Sequence, residues 1–199
     1  MRVALINSPS LSTRPVSRSM AGGLGFDGSA HMLLPPLDLA IMAASLRQAA
    51  HEVELIDADP LDLDQDAVLR KLRPHPWDVL VATVSLPTLE QDALFLAALR
   101  RSHPAAKVFG KTLVRDHQVL QVLLSKSGAD LVIHGEADHS IVELILGRTT
   151  SGTAWLERTP DGAEPAFRFD EGEPVKDLNA LPFPARDLLP NSRYCYPPS

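Results

Sequence analysis

Five short runs of β-branched residues and leucine, at 3–7, 53–57, 78–84, 107–110 and 130–134, are each followed by polar or Gly/Pro punctuation and then by a helix-length segment. That alternation constrains the chain more than any other feature. Successive parallel strands need crossovers of a dozen residues or more, and the helices in those crossovers cover both faces of the sheet. Helices are predicted at 39–50, 64–72, 89–101, 116–126 and 138–147. Pro36 fits the first turn of the first helix. Asp138 is a candidate N-cap of the last one, and Gly147 a candidate cap at its end. The first helix is apolar on two faces, with Leu37, Ala40, Ile41 and Ala44 on one and Leu39, Met42, Ala43 and Leu46 on the other, so it calls for cover on both sides.

Beyond Gly147 the character changes. Residues 153–156 and 166–169 flank Pro160-Asp161-Gly162, a β-hairpin turn signal. Residues 181–190 then carry Pro182, Pro184 and Pro190 and favour extended backbone over compact folding. The expected architecture is α/β: a doubly wound, flavodoxin-like or Rossmann-like, five-stranded parallel sheet over residues 1–147, followed over 148–199 by a C-terminal β-hairpin and a proline-rich linker towards a further domain.

Composition narrows the function. A formal net charge of -6 argues against a nucleic-acid binder, which needs a basic stripe to neutralise phosphates. No apolar run approaches the ~20 residues of a membrane span, so no membrane partner is expected. Cys195 is the only cysteine. It permits no intrachain disulfide and cannot by itself hold an iron-sulfur cluster, and the expected compartment is the reducing cytoplasm.

In a doubly wound sheet, ligands bind outside the carboxyl ends of the strands where strand order reverses. The loops to inspect are 8–12, 85–88, 111–115 and 135–138. The connection from Ser8 to Pro35 is long and contains Gly22, Gly23 and Gly25. It lacks the strand before, the helix after and the lysine of a phosphate loop, and reads as a lid or domain contact. Lys111-Thr112 follows Gly110 without the rest of a Walker pattern. Asn7-Ser8 and Thr83-Val84-Ser85 stand where a phosphoacceptor domain would carry clustered carboxylates. No Gly-x-Ser-x-Gly elbow is present, and no catalytic residue can be assigned.

These segments resemble the N-terminal cobalamin-binding domain of cobalamin-dependent radical SAM enzymes. The resemblance covers nearly the whole chain. It rests on Arg2-Val3-Ala4-Leu5-Ile6-Asn7-Ser8-Pro9, on Pro35-Pro36-Leu37-Asp38-Leu39-Ala40, on Leu46-Arg47, His51-Glu52-Val53 and Leu55-Ile56-Asp57-Ala58. It continues through Ser85 and Thr88, Gly135-Glu136 and the segment from Leu181 to Leu189. The resemblance implies a corrin over the carboxyl edge of the sheet, with its nucleotide tail in a cleft near Ser85, Thr88, Gly110 and Gly135. Ser8, Pro9, Leu86, Lys111, Thr112 and Glu136 complete the implied cofactor contacts. Glycines let a bulky tail approach the backbone, and hydroxyls satisfy its polar groups without adding charge. Ser85 and Thr88 serve equally well as caps of the helix after the third strand, Gly135 as a turn residue and Glu136 as a first-turn carboxylate.

The chain departs from the family at two places. Many cobalamin proteins supply a lower axial histidine from Asp-x-His-x-x-Gly after the first strand, where this chain reads Ser8-Pro9-Ser10-Leu11-Ser12, so cobalt is expected without a histidine from there. Among the other histidines His31, in the long loop, is the axial candidate; His51, His134 and His139 form no metal-ligand set. The family's Gly-Gly-x-His after the fourth strand is replaced by Gly110-Lys111-Thr112-Leu113, which adds bulk and charge where glycine is expected. The resemblance implies a module that presents cobalamin to a radical SAM domain, in cis or in trans, for example for methyl transfer, with the iron-sulfur cluster and SAM held in that absent domain. The competing expectations are a cobalamin-free domain that acts in protein interaction and a small nucleotide-dependent transferase.

Overall fold

The structure, a computed structural model, describes residues 1–10, 16–18, 26–27, 33–137, 140–158 and 164–195. The glycine-rich stretch at 21–25, His31, Asp138, His139, the turn at 160–162 and the last four residues lie outside them.

Strand β1 (Arg2–Asn7) is buried throughout after Arg2, which marks it as a central strand. It pairs in parallel with β4 (Glu52–Asp57) on one side and β5 (Val79–Thr83) on the other. Strands β6 (Lys107–Thr112) and β7 (Leu131–His134) continue the parallel sheet beyond β5. The order β4-β1-β5-β6-β7 is that of a flavodoxin-like doubly wound fold, with the reversal between β1 and β5. Residues 16–17 (β2) and 26–27 (β3) form a separate two-stranded ribbon that the sequence did not announce.

The expected hairpin is present as β8 (Thr153–Glu157) and β9 (Ala166–Phe169). It is not an appendage. β8 pairs antiparallel with β7, so the sheet has seven strands, five parallel and two antiparallel.

Helices α2 (Gln65–Leu72), α3 (Leu89–Ser102) and α4 (His117–Ser127) cover one face, burying Val68, Leu72, Phe95, Leu96, Leu99, Leu120 and Leu124 against Ile6, Leu80, Val108 and Val132. Helices α1 (Leu37–Gln48) and α5 (Ile141–Ile145) cover the other, over Val3, Leu5, Val81, Phe109 and Ile133. Each such side chain contributes ~1.5–3 kcal/mol of burial. Asp64 and Asp116 cap α2 and α4 by accepting from the N–H groups of Ala67 and Val119.

The second apolar face of α1 is partly covered by the chain's own C-terminal segment, with Leu37 left exposed. Residues 181–190, expected as an extended linker towards a further domain, lie along α1: the Ala185 N–H donates to the Ala40 carbonyl (2.9 Å), and Ala185 and Leu189 enter the α1 core. Arg47 pairs with Asp187 at 2.7 Å, and Leu33 bridges to Cys195. A 3-10 turn at Arg186–Leu188, between Pro184 and Pro190, sets Ala185 and Leu189 at its two ends against the helix.

Candidate functional site at the carboxyl rim

Strand β6 runs on through Thr112, so Lys111 and Thr112 belong to the strand and not, as expected, to a loop after Gly110. Side chains alternate across a strand, which sends Gly110 and Lys111 to opposite faces. On the α3 face, a methyl group at Gly110 would lie 3.3 Å from both Leu96 Cδ1 and Val132 Cγ2. On the α1 face, Lys111 is 5% exposed and its Nζ donates to Asp38 in the first turn of α1. The slot that small uncharged residues were expected to line is therefore filled on one face by aliphatic side chains and on the other by an ion pair.

Where strand order reverses, β1 and β5 are tied by hydrogen bonds. The Ser8 N–H donates to Thr83 Oγ1 (2.9 Å), Ser8 Oγ to the Thr83 carbonyl (2.6 Å), and Thr83 Oγ1 to Asn7 Oδ1 (3.0 Å). Asn7 Nδ2 donates to Asp57 Oδ1 (2.8 Å), and Tyr194 of the strap donates to Asp57 Oδ2 (2.7 Å). Burial pushes the Asp57 carboxyl up to about 6, against the pull of these two donors. Burial and the neighbouring carboxylate raise the Tyr194 phenol as well.

Beside it lies a second buried cluster. Arg18, brought in from the long first connection, pairs with Asp92 of α3 at 3.0 Å with both side chains almost wholly buried. Asp92 also accepts from the Ser85 N–H (3.0 Å) and from Thr88 Oγ1, and Thr88 Oγ1 meets Ser85 Oγ at 2.7 Å. Neither Ser85 nor Thr88 caps a helix with its own hydroxyl. The Thr88 hydroxyl serves the carboxylate and the Ser85 hydroxyl meets that of Thr88, while burial raises the pKa of Asp92. Pro9 is fastened here through its carbonyl, which accepts from Gln91 Nε2 at 3.1 Å, while Leu86 remains exposed. Arg18 Nε and Nη1 have no hydrogen-bond partner among the described residues. What remains of the crevice, lined by Asn7, Arg18, Asp38, Thr83 and Lys111 among others, measures ≈ 20 Å³.

Next to this crevice, across Leu113, the rim is open. A cavity of ≈ 440 Å³ lies between the ends of β6 and β7 and the hairpin, lined by Arg115, His134, Gly135, Glu136, Ser140, Ser151 and Glu171 among others. Gly135 adopts φ +76, where a side chain would be strained, and nothing crowds its α-carbon. Glu136 precedes α5 by several residues, too far to be a first-turn carboxylate, and accepts from the Val175 N–H at 3.4 Å. His134 stacks on Phe169 with ring centroids 4.2 Å apart, and burial lowers its pKa. Arg115 pairs with Glu171, and Thr112 Oγ1 accepts from the Val114 N–H. The described residues hold no group of three or more His, Cys, Asp or Glu that could bind a metal ion.

The structure thus gathers Ser8, Pro9, Ser85, Thr88, Lys111 and Thr112 around the reversal point, and Gly135 and Glu136 at the open cavity. Sequence reasoning missed Arg18, Asp92, Asp57 and Tyr194. Asp92 left a trace: it sits among Leu89, Ala93 and Leu96, a carboxylate placed against an apolar helix face. Arg18 left none, since its loop has no periodicity.

No protein-family model matches the chain, and no curated protein matches it. Its fold is shared with solved structures. The cobalamin-dependent S-adenosylmethionine radical enzyme OxsB with aqua-cobalamin bound matches with a TM-score of 0.68 and 13% identity, over 94% of this chain and 24% of that one. The radical S-adenosylmethionine methyltransferase TsrM from Kitasatospora setae, with cobalamin and a 4Fe-4S cluster bound, matches with a TM-score of 0.58 and 18% identity, over 82% of this chain and 31% of that one. The chain spans less than a third of the length of either, and at these identities the likeness is one of fold. These neighbours are the cobalamin-dependent radical SAM enzymes that the sequence resembles.

Proposed function

We propose that this chain is a corrinoid-binding module that presents the corrin ring, at the carboxyl rim of its sheet, to a radical SAM domain in cis or in trans. The observation that carries the reading is the likeness of fold, over 94% of the chain, to an enzyme solved with aqua-cobalamin bound. The open cavity beside β6 and β7 supports it, since a ring laid over the rim finds room there for its peripheral amides and donors in Arg115 and Ser140. Reactivity would belong to the corrinoid and to the partner domain, which must bring the cluster and SAM because Cys195 is the only thiol here. Methyl transfer is the reaction class the resemblance favours. The cobalt takes no histidine from the position after β1, which is Ser8-Pro9-Ser10, and the setting is cytoplasmic.

The reversal-point crevice does not fit the nucleotide tail of cobalamin. At ≈ 20 Å³ it has room for about one water. The residues of this chain therefore hold the ring and leave the tail without a seat.

The test is to incubate the purified chain with hydroxocobalamin or with aquocobinamide, which lacks the tail, then desalt it and record the visible spectrum. Corrin absorption eluting with the protein is expected from at least one of them. Colourless protein from both rejects the reading. The closed crevice also favours a second reading, a corrinoid-free protein interaction module, which requires colourless protein that still associates with a radical SAM domain.

A further inference from the structure

Resting on the corrinoid reading above, we propose that this chain selects corrinoids that lack the nucleotide tail, with Lys111 as the specificity-determining residue. In a sheet of this order the crevice between strands and helices opens where the order reverses, beside β1 and β5. Lys111 reaches into that crevice from β6, and Asp38 meets it from α1. A tail could enter only by parting the two, which strands the nearly buried Lys111 ammonium without its partner while Asp38, 29% exposed, keeps part of its hydration. The base and ribose offer no charge in exchange, and the tail's one anion, its phosphodiester, could take the ammonium only by setting a like charge against Asp38. Loss of both partners' interactions weighs against the tail, whatever apolar area the base would bury.

The other face of the sheet offers no second route. At Gly110, Leu96 and Val132 already stand at close-packing distance from the place a single methyl group would take. Ser85, whose hydroxyl was expected to greet the tail, is wholly buried, with its N–H and Oγ engaged by Asp92 and Thr88. The ring meets no such obstacle, because neither Lys111 nor Asp38 lines the ≈ 440 Å³ cavity. The site takes the macrocycle and refuses the appendage.

The experiment titrates the full chain with aquocobinamide and with hydroxocobalamin, reading the corrin spectrum retained after desalting, and repeats both with Lys111→Gly. The wild type is expected to bind aquocobinamide at least about ten-fold more tightly than hydroxocobalamin. Lys111→Gly empties the crevice, so hydroxocobalamin affinity should rise about ten-fold while aquocobinamide affinity stays within about three-fold. Equal wild-type affinity for the two corrinoids overturns the proposal while leaving the corrinoid reading intact. Retention of neither defeats that reading, and the proposal with it. If a thermal melt shows Lys111→Gly unfolded, the wild-type comparison decides alone.

Discussion

At the scale of single residues, the rim is governed by acids placed where water cannot reach them. Asp57 ordinarily ionises near 3.8, and burial raises it to about 6 in the folded chain. The folded state therefore holds this proton more tightly than the unfolded state. Stability falls as pH rises through the window from the ordinary value to about 6, then levels off, for a loss of roughly 3 kcal/mol. Asp57→Asn removes the titration. Urea unfolding of both proteins at about pH 4 and about pH 7 should show the wild type losing ground against the variant by roughly 2–3 kcal/mol. A gap that does not change with pH would mean that the carboxyl titrates normally. Lys111 and Asp38, by contrast, form a pair that guards access: it fills the crevice, and parting it would leave a nearly buried ammonium unpaired.

At the scale of elements, alternation and turn residues announced all five parallel strands, the helices between them and the hairpin. Burial fixes such elements through pattern, and pattern is visible in one dimension. The end of β6 was misplaced because Gly110 reads as punctuation, whereas pairing with β7 carries the strand on to Thr112. The ion pairs at the site were illegible for another reason: Arg18 and Asp92, or Lys111 and Asp38, lie far apart in sequence and meet only when the sheet is assembled. The hairpin's place at the rim depends on a backbone contact of the same long-range kind. Gly172, at φ +74, approaches Gly152 so closely that a methyl group would lie 2.7 Å from its α-carbon. Gly172→Ala is expected to cost about 3 kcal/mol, against about 1 kcal/mol for Gly128→Ala, which shares the left-handed backbone but faces open space. Chemical denaturation of the two variants checks this, and equal losses would show that the approach to Gly152 is soft.

For the molecule as a whole, the C-terminal strap covers part of the second apolar flank of α1 and leaves Leu37 exposed. It accounts for part of that flank's apolar character. Leu189 is 6% exposed against that helix. Leu189→Asp would bury a charge there, and an expected loss of about 3 kcal/mol, read from the urea midpoint, tests the docking. An unchanged midpoint would show the strap to be detached in solution.

The central position of β1 has a temporal consequence. Strand β1 leaves the ribosome well before either of its partners, which begin as far along the chain as Glu52 and Val79. It must wait, unpaired and apolar, until both have emerged. Loop closure across such separations precedes any reward from pairing, so assembly of the sheet should be slow and should finish from the middle outwards. Until then, the segment Val3 to Ile6 is the one a chaperone would most usefully shelter.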